Sequence, residues 1–176
     1  MITAIDKFPR DDRLPTVRIE EMEPEDLEDI LAIECASFPT PWSQNIFLKE
    51  LHHPLSRNLS AKIKGSCGDE IAGYMIYWLV ADEVHLQHIA VRDDLRRSGI
   101  ASLLCRRMME SAYKEGALHA TLEVRRSNAA AVKLYEKFSF LVKGVRPGYY
   151  DDTHEDALIM WAEIQESIGR IHDDCL

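Results

Sequence analysis

Two side chains in the segment LEVRRSNAAAVKLYEKFSF, residues 122–140, have the chemistry to move protons. Glu123 stands near the end of an alternating strand pattern, and Tyr135 stands on the apolar side of the helical pattern that follows. A positioned carboxylate can accept a proton, and a phenol can donate one. A salt-bridged or solvated glutamate and a core tyrosine would give the same pattern, so the segment alone leaves these alternatives open.

A second segment predicts an anion site where a strand meets a helix. In HIAVRDDLRRSGIASLL, residues 88–104, the strand ends at Val91 and the helix begins at Gly99, directly after two arginines and a serine. Free N–H groups at a helix start bind anions, a glycine allows a phosphate to approach, and arginines add charge. The spacing is neither G-x-G-x-x-G nor a P-loop, which disfavours a dinucleotide or ATP site. A helix start that is merely basic is the alternative.

A mixed order of strands and helices surrounds these two segments. Alternating patterns predict strands at 16–22, 57–65, 70–81, 83–91, 117–124, 140–146 and 155–163, and helical periodicity predicts helices at 24–38, 43–53, 99–115 and from 128 onward. Strands outnumber helices, and hairpins occur beside strand–helix–strand units. This order predicts an α/β (α+β) fold with a mixed, mainly antiparallel sheet and helices on both faces.

Composition predicts one globular domain without metal or membrane anchor. The domain is expected over residues 17–164, between an N-terminal leader, 1–16, and a polar C-terminal tail, 165–176. No apolar run approaches the roughly 20 residues that cross a membrane, and the start does not resemble a signal peptide. The four cysteines and seven histidines show no metal-ligand spacing. We therefore expect a cytoplasmic protein.

The net charge of −9 is unevenly distributed along the chain. Residues 1–34 hold 11 acids and 4 bases, residues 151–176 hold 8 acids and 1 base, and residues 35–150 hold 11 acids and 16 bases. A basic middle suits an anionic ligand, and acidic flanks would attract a basic partner. A merely solvated surface would also account for the charges.

The two segments together resemble a known family. RRSGIA, residues 96–101, resembles the Arg/Gln-x-x-Gly-x-Gly/Ala pyrophosphate loop of the GNAT superfamily of N-acetyltransferases, and SNAAAVKLYEKFSF, residues 127–140, resembles its later S-N-x-x-A-x-x-L-Y-x-x-x-G-F segment. FPTPW, LEVRRSN and GYYDDTHEDALIM extend the resemblance over about residues 17–163. Within the superfamily, these segments are most similar to the RimI type, the ribosomal-protein-alanine N-acetyltransferases.

The resemblance implies a donor, acetyl-CoA, and a role for each matching residue. Glu123 would be the general base, acting through water, and Tyr135 the general acid that protonates the departing CoA thiolate. The acetyl-CoA-binding residues would be Ile89, Ala90 and Val91 for the pantetheine arm, Arg96, Arg97, Ser98, Gly99, Ile100 and Ala101 for the pyrophosphate, and Asn128.

The expected acceptor is the basic N-terminal peptide of a small-subunit ribosomal protein that begins with alanine. Three departures from the pattern are His88, where the RimI type usually has asparagine, Ala101 in place of the last loop glycine, and Ser139 in place of a glycine. His88 lies beside the expected acceptor channel, where it could change the choice of substrate or take part in proton transfer, so the identity of the acceptor stays open. Trp42, Tyr149 and Tyr150 are expected to line that groove or to close the core.

Other functions compete with this interpretation. The same fold and donor would serve a lysine side chain, a polyamine or another small amine, and a nonenzymatic acetyl-CoA-binding regulator would need no acid–base pair. An RNA contact would use arginines, namely Arg92, Arg96, Arg97, Arg106 and Arg107. An acidic chain with these arginines along one loop and helix does not favour nucleic acid as the main ligand.

Overall fold

Seven strands and five α-helices form in the described parts of the chain. The computed structural model describes residues 16–65 and 68–173, with the side chains of 172 and 173 left out. The strands are β1 (Val17–Glu21), β2 (Ser56–Lys64), β3 (Asp69–Val80), β4 (Glu83–Val91), β5 (His119–Arg125), β6 (Leu141–Tyr150) and β7 (Glu155–Glu163). The helices are α1 (Leu27–Ser37), α2 (Gln44–His52), α3 (Ile100–Lys114), α4 (Ala129–Lys137) and α5 (Ile164–Asp173), with 3-10 turns at Pro24–Asp26 and Asp93–Leu95.

The strands form one sheet in the order β1-β2-β3-β4-β5-β7-β6. Only β4 and β5 pair in parallel, and the other neighbours are antiparallel. A parallel pair needs a crossover connection, and α3 supplies it between these two strands. The mixed, mainly antiparallel α/β sheet predicted from the sequence is confirmed.

Helices cover both faces of the sheet, as predicted. One core cluster joins the sheet to α3, α4 and α5; along α3, residues Ile100, Leu104, Met108 and Ala112 recur at helical spacing and are buried in it. The second cluster joins the opposite face to α1 and α2 through Ile30 and the fully buried Phe47. These two clusters fix which strand side chains meet which helices.

The chain ends differ from the sequence prediction where they are described. The predicted polar tail, 165–176, contains most of α5, and Ile171 is buried in the core beside α3. Ile164, Ile168 and Ile171 lie at helical spacing, which makes one face of this segment apolar. The predicted leader, 1–16, lies outside the described residues except for its last position.

Candidate active site

The sheet opens between β4 and β5. Their pairing runs from Glu83 with His119 to Leu86 with Leu122, and beyond that point β4 stays with β3 while β5 follows β7. The backbone of 89–91 is therefore paired on its β3 side only, among the described residues. Unpaired strand N–H and C=O groups are a ready template for an extended ligand.

The loop from β4 to α3 presents a helix N-terminus at the same end of the sheet. Gly99 caps α3 with φ +89°, in the region that favours glycine, and the first helical hydrogen bond runs from the Leu103 N–H to the Gly99 carbonyl at 3.0 Å. The N–H groups of the first helical turn therefore have no intrahelical acceptor. Ile100 is buried and anchors the turn, whereas Arg97 is exposed. This arrangement is suited to an anionic ligand.

The Arg96 side chain is exposed but is bonded to groups of its own loop and of α1. Its guanidinium pairs with Asp93 at 2.7 Å and donates to the Ser37 hydroxyl at 3.2 Å and to the Val91 carbonyl at 3.3 Å. These contacts use the Nε and Nη2 nitrogens, so a phosphate contact through those two atoms would require exchange of these partners. The Ser98 hydroxyl donates to the Leu95 carbonyl, so it stabilises the loop itself.

Asn128 begins the helix that carries the phenol. Its side-chain oxygen accepts a hydrogen bond from the Ala131 N–H at 3.1 Å, which is an N-cap of α4. The cap uses the oxygen and leaves the side-chain NH₂ as a donor. Asn128 is exposed, so that donor is accessible to a ligand.

Glu123 lies on β5 one residue beyond the last β4–β5 pair. Its carboxylate pairs with the Arg146 guanidinium of β6 at 2.9 Å, and the side chain is 27% exposed. The Tyr149 hydroxyl also donates to Glu123, and this hydrogen bond raises the pKa of Tyr149. The salt-bridged glutamate that the sequence left open is thus present, at the edge of the opening.

Tyr135 is buried in the core cluster on the other face of the sheet, with its ring 5.8 Å from that of Phe140. Burial raises the pKa of its hydroxyl, and the neighbouring Cys105 and Tyr150 raise it further. The phenol therefore keeps its proton at neutral pH and remains available as a donor. Glu123 and Tyr135 lie on opposite sides of the sheet layer because Glu123 alternates with the buried Leu122 and Val124.

The turn between β6 and β7 is fastened to the end of β5. Arg125 pairs with Asp152 at 2.8 Å, donates to the Thr153 hydroxyl at 2.8 Å, and lies 3.8 Å from the centre of the Tyr150 ring. Tyr149 packs edge-on against Tyr150. Tyr149 hydrogen-bonds to Glu123 and Tyr150 lies close enough to interact with its charge, so both tyrosines lie near this carboxylate.

A buried polar cluster around His88 lies on the α1–α2 side. Its Nε2 is 3.0 Å from the fully buried Glu34 carboxylate, which also accepts from the Tyr74 hydroxyl and from the Trp42 N–H at 2.7 Å. The sequence prediction gave no role to Glu34, although an acidic residue at an apolar position of a helical pattern indicates a buried carboxylate. The sequence contains no comparable indication for Arg146, because its contact with Glu123 depends on the order of the strands in the sheet.

Among residues 16–65 and 68–173, no group of three histidine, cysteine or acidic side chains could hold a metal ion. No helix in the same residues combines the length and apolarity needed to cross a membrane.

Comparisons with known proteins point to acetyl transfer. The model of the acetyltransferase (GNAT) family matches residues 26–140. A ribosomal protein bS18-alanine N-acetyltransferase of Salmonella typhimurium is 35% identical over 137 residues, which cover 77% of this chain and 89% of that protein.

Two solved structures of N-acetyltransferases and related proteins superpose on this chain. The crystal structure of the Escherichia coli ribosomal-protein-S18-alanine N-acetyltransferase superposes with a TM-score of 0.77 and 33% identity, over 85% of this chain and 94% of that one. Arabidopsis thaliana NAA60, solved in complex with acetyl-CoA, superposes with a TM-score of 0.76 over 85% of this chain and 99% of that one. At 19% identity this second likeness concerns the fold alone.

Proposed function

The chain belongs to the GNAT family of acetyltransferases, and we propose that it transfers acetyl from acetyl-CoA to the α-amino group of the N-terminal alanine of ribosomal protein bS18. The observation that carries the proposal is the divergence of β4 from β5 directly before Glu123. It leaves a half-paired strand edge for an extended donor and a carboxylate at the end of the opening. The relatives at 33–35% identity bear the same activity in their names.

The donor is proposed to lie between the diverging strands. The unpaired backbone edge of Ile89, Ala90 and Val91 would bind the pantetheine arm as an added strand. The N–H groups at the start of α3, with Gly99 and the exposed Arg97, would bind the pyrophosphate. The free NH₂ of Asn128 would donate from the start of α4. No metal takes part in this scheme.

Glu123 is proposed to accept the proton of the acceptor amine, directly or through one water. An α-amino group has a pKa of about 7.7–8.0, so most of it is protonated at neutral pH and cannot attack a thioester. Arg146 pairs with one oxygen of this carboxylate at 2.9 Å. The incoming ammonium would therefore compete with a guanidinium for the same group.

Tyr135 is proposed to return a proton to the leaving group. The neutral amine nitrogen forms a bond with the acetyl carbon, the C–S bond breaks, and the thiolate takes the phenolic proton. The second proton, which the nitrogen releases as the amide forms, returns to the phenolate through solvent. The raised pKa of Tyr135 keeps that proton in place until the thiolate forms. Positioning of the amine against the thioester supplies much of the remaining acceleration.

The acceptor is proposed to be a basic peptide, which suits a chain of net charge −9. Tyr149 and Tyr150 of β6 would form one wall of its groove, and the segment around Trp42 would form the other. We further propose that the protein acts in the cytoplasm, where ribosomal proteins are made.

The proposal is tested by mass spectrometry of acetylated products. The protein is incubated with acetyl-CoA and an equimolar mixture of a peptide that begins Ala-Arg, a blocked peptide with an internal lysine, and spermidine. Label confined to the free α-amine is expected. Label on lysine or spermidine alone would refute the proposed acceptor, and donor binding without any transfer would refute the enzymatic role.

A further inference from the structure

His88 stands on β4 at the point where this strand leaves β5. Gln87 forms a bulge opposite β3, and the last β4–β5 pair is Leu86 with Leu122. His88 contacts the α1–α2 side of the sheet, and Glu123 lies on the same side because its neighbour Leu122 is buried on the other. His88 therefore borders the opening, one residue before the backbone that is proposed to hold the donor.

One edge of the His88 ring is held by Glu34. The Nε2 atom lies 3.0 and 3.1 Å from the two carboxylate oxygens, and the Glu34 side chain is fully buried. Burial alone would raise the pKa of Glu34, but hydrogen bonds from His88, Tyr74 and the Trp42 N–H outweigh it and lower the pKa. The carboxylate is thus ionised at neutral pH, and an ionised acceptor requires Nε2 to carry the hydrogen.

Two aromatic residues of the α1–α2 connection pack against the same ring. The ring centre lies 4.3 Å from that of Phe38 and 4.4 Å from that of Trp42, which is nearly parallel at 12°. An imidazole can present two flat faces and still donate an N–H from its edge. Asparagine keeps an N–H donor but has no ring to stack, and phenylalanine keeps a ring but has no donor, so each of these substitutions removes one of the two contacts.

Phe38 and Trp42 belong to the short connection between α1 and α2. Phe38 directly follows α1, and Trp42 directly precedes the Ser43 cap of α2. Trp42 also packs edge-on against Phe47 in the second core cluster, away from the opening. The ring contacts of His88 with Phe38 and Trp42 therefore join this connection to the part of β4 that no longer pairs with β5.

We infer that His88 is a positioning residue for the acceptor: by fixing Phe38 and Trp42 beside the opening, it sets the wall against which the first residues of the acceptor peptide bind. The inference rests on the proposed function. It places His88 in acceptor affinity rather than in donor affinity, because the His88 side chain packs against the α1–α2 connection, whereas the donor is proposed to bind the backbone of 89–91 and the start of α3.

Steady-state kinetics with both substrates varied tests the inference. His88→Phe keeps a flat ring and loses the donor to Glu34, and His88→Asn keeps a donor and loses the stacking. His85→Asn is the matched control, because His85 lies on the same strand and also pairs with a glutamate, Glu83 at 3.2 Å, but before the opening. Thermal melts and acetyl-CoA binding by calorimetry establish that each variant folds.

His88→Phe is expected to raise the KM for the Ala-Arg peptide about tenfold or more, since a displaced wall misplaces the amine. The KM and Kd for acetyl-CoA should stay within about twofold, and His88→Asn should recover part of the loss. Unchanged peptide KM in an active, folded His88→Phe protein would overturn the inference and leave the proposed function standing. An equal rise in the KM for the peptide and for acetyl-CoA, together with a lowered melting temperature, would show that His88 only packs the fold and would also overturn the inference. A wild-type protein inactive on the peptide would overturn both.

Discussion

Replacement of Glu123 by glutamine isolates its role as a base from its role in the fold. Glutamine has nearly the same shape, and the backbone pairing of Glu123 with Ile159 of β7 does not involve the side chain. The amide oxygen can still accept from Arg146 and Tyr149. A partly exposed ion pair of this kind contributes about 0–1 kcal/mol, so the free energy of unfolding should change by less than that.

The loss of activity should be much larger than the loss of stability. General base catalysis is worth about 10²–10⁴ in rate, so kcat/KM for the peptide should fall by a factor in that range. The defect should shrink as pH rises, because an amine with a pKa of about 7.7–8.0 is only about 10–17% neutral at pH 7 and loses its proton unaided at pH 9. That recovery is limited to roughly tenfold, which distinguishes a missing base from a missing binding contact.

Release of the CoA thiol, followed continuously from pH 6.5 to 9.5, measures the effect. Glu136→Gln removes the same charge from the exposed side of α4 and is the control. Acetyl-CoA affinity is measured in parallel and should match the wild type within about threefold. A Glu123→Gln variant that turns over within a few-fold of the wild type would refute the assignment, and so would a defect of equal size at every pH.

Three further predictions concern the neighbouring groups. Tyr135→Phe should lower the rate constant of acetyl transfer about 100-fold and leave the Kd for acetyl-CoA unchanged, because only the proton donor is removed. An unchanged rate constant in single-turnover experiments would contradict this prediction. Arg146→Ala should lower the KM for the peptide about twofold to fivefold, because the substrate ammonium then no longer competes with the Arg146 guanidinium for Glu123. Lys143→Ala on the same strand is the control and should leave this KM unchanged. An increased KM in Arg146→Ala would instead indicate that Arg146 binds the peptide. Glu34→Gln should lower the free energy of unfolding by about 1–3 kcal/mol at pH 7. Folding lowers the pKa of Glu34 from 4.5, so the stability difference between wild type and Glu34→Gln should be complete above pH 4.5 and should be lost as the pH falls below it. Urea titrations that show the same stability difference at every pH from 7 to 3 would exclude an ionised Glu34.

The periodicity of hydrophobic residues predicted most strands and helices, but the order of the strands in the sheet determines which side chains come into contact. The helical spacing of Ile100, Leu104 and Met108 is a property of one segment, so it can be recognised before the fold is known. The ion pair between Glu123 and Arg146 joins β5 to β6, which are separated by β7 in the sheet. No periodicity within either segment contains that information.

Two other features left partial signals in the sequence. The isoleucines of α5 have helical spacing, but the charged residues between them favoured a polar tail. Glu34 occupies an apolar position of α1, which indicates either a poor helix or a buried carboxylate with partners. Its partners come from β3, β4 and the α1–α2 connection, so only the folded chain distinguishes these two possibilities.

The bulge at Gln87 links the position of His88 to the opening itself. Leu86 and Ile89 both pack on the α3 side of the sheet, although three residues apart in a strand they should face opposite sides. Gln87 is the extra residue of the bulge, and it shifts the inward–outward alternation of β4 by one position. His88 therefore faces Glu34 and the α1–α2 connection instead of the α3 side. The same bulge lies where β4 stops pairing with β5. One local irregularity thus exposes the strand edge proposed for the donor and orients the residue proposed to position the acceptor.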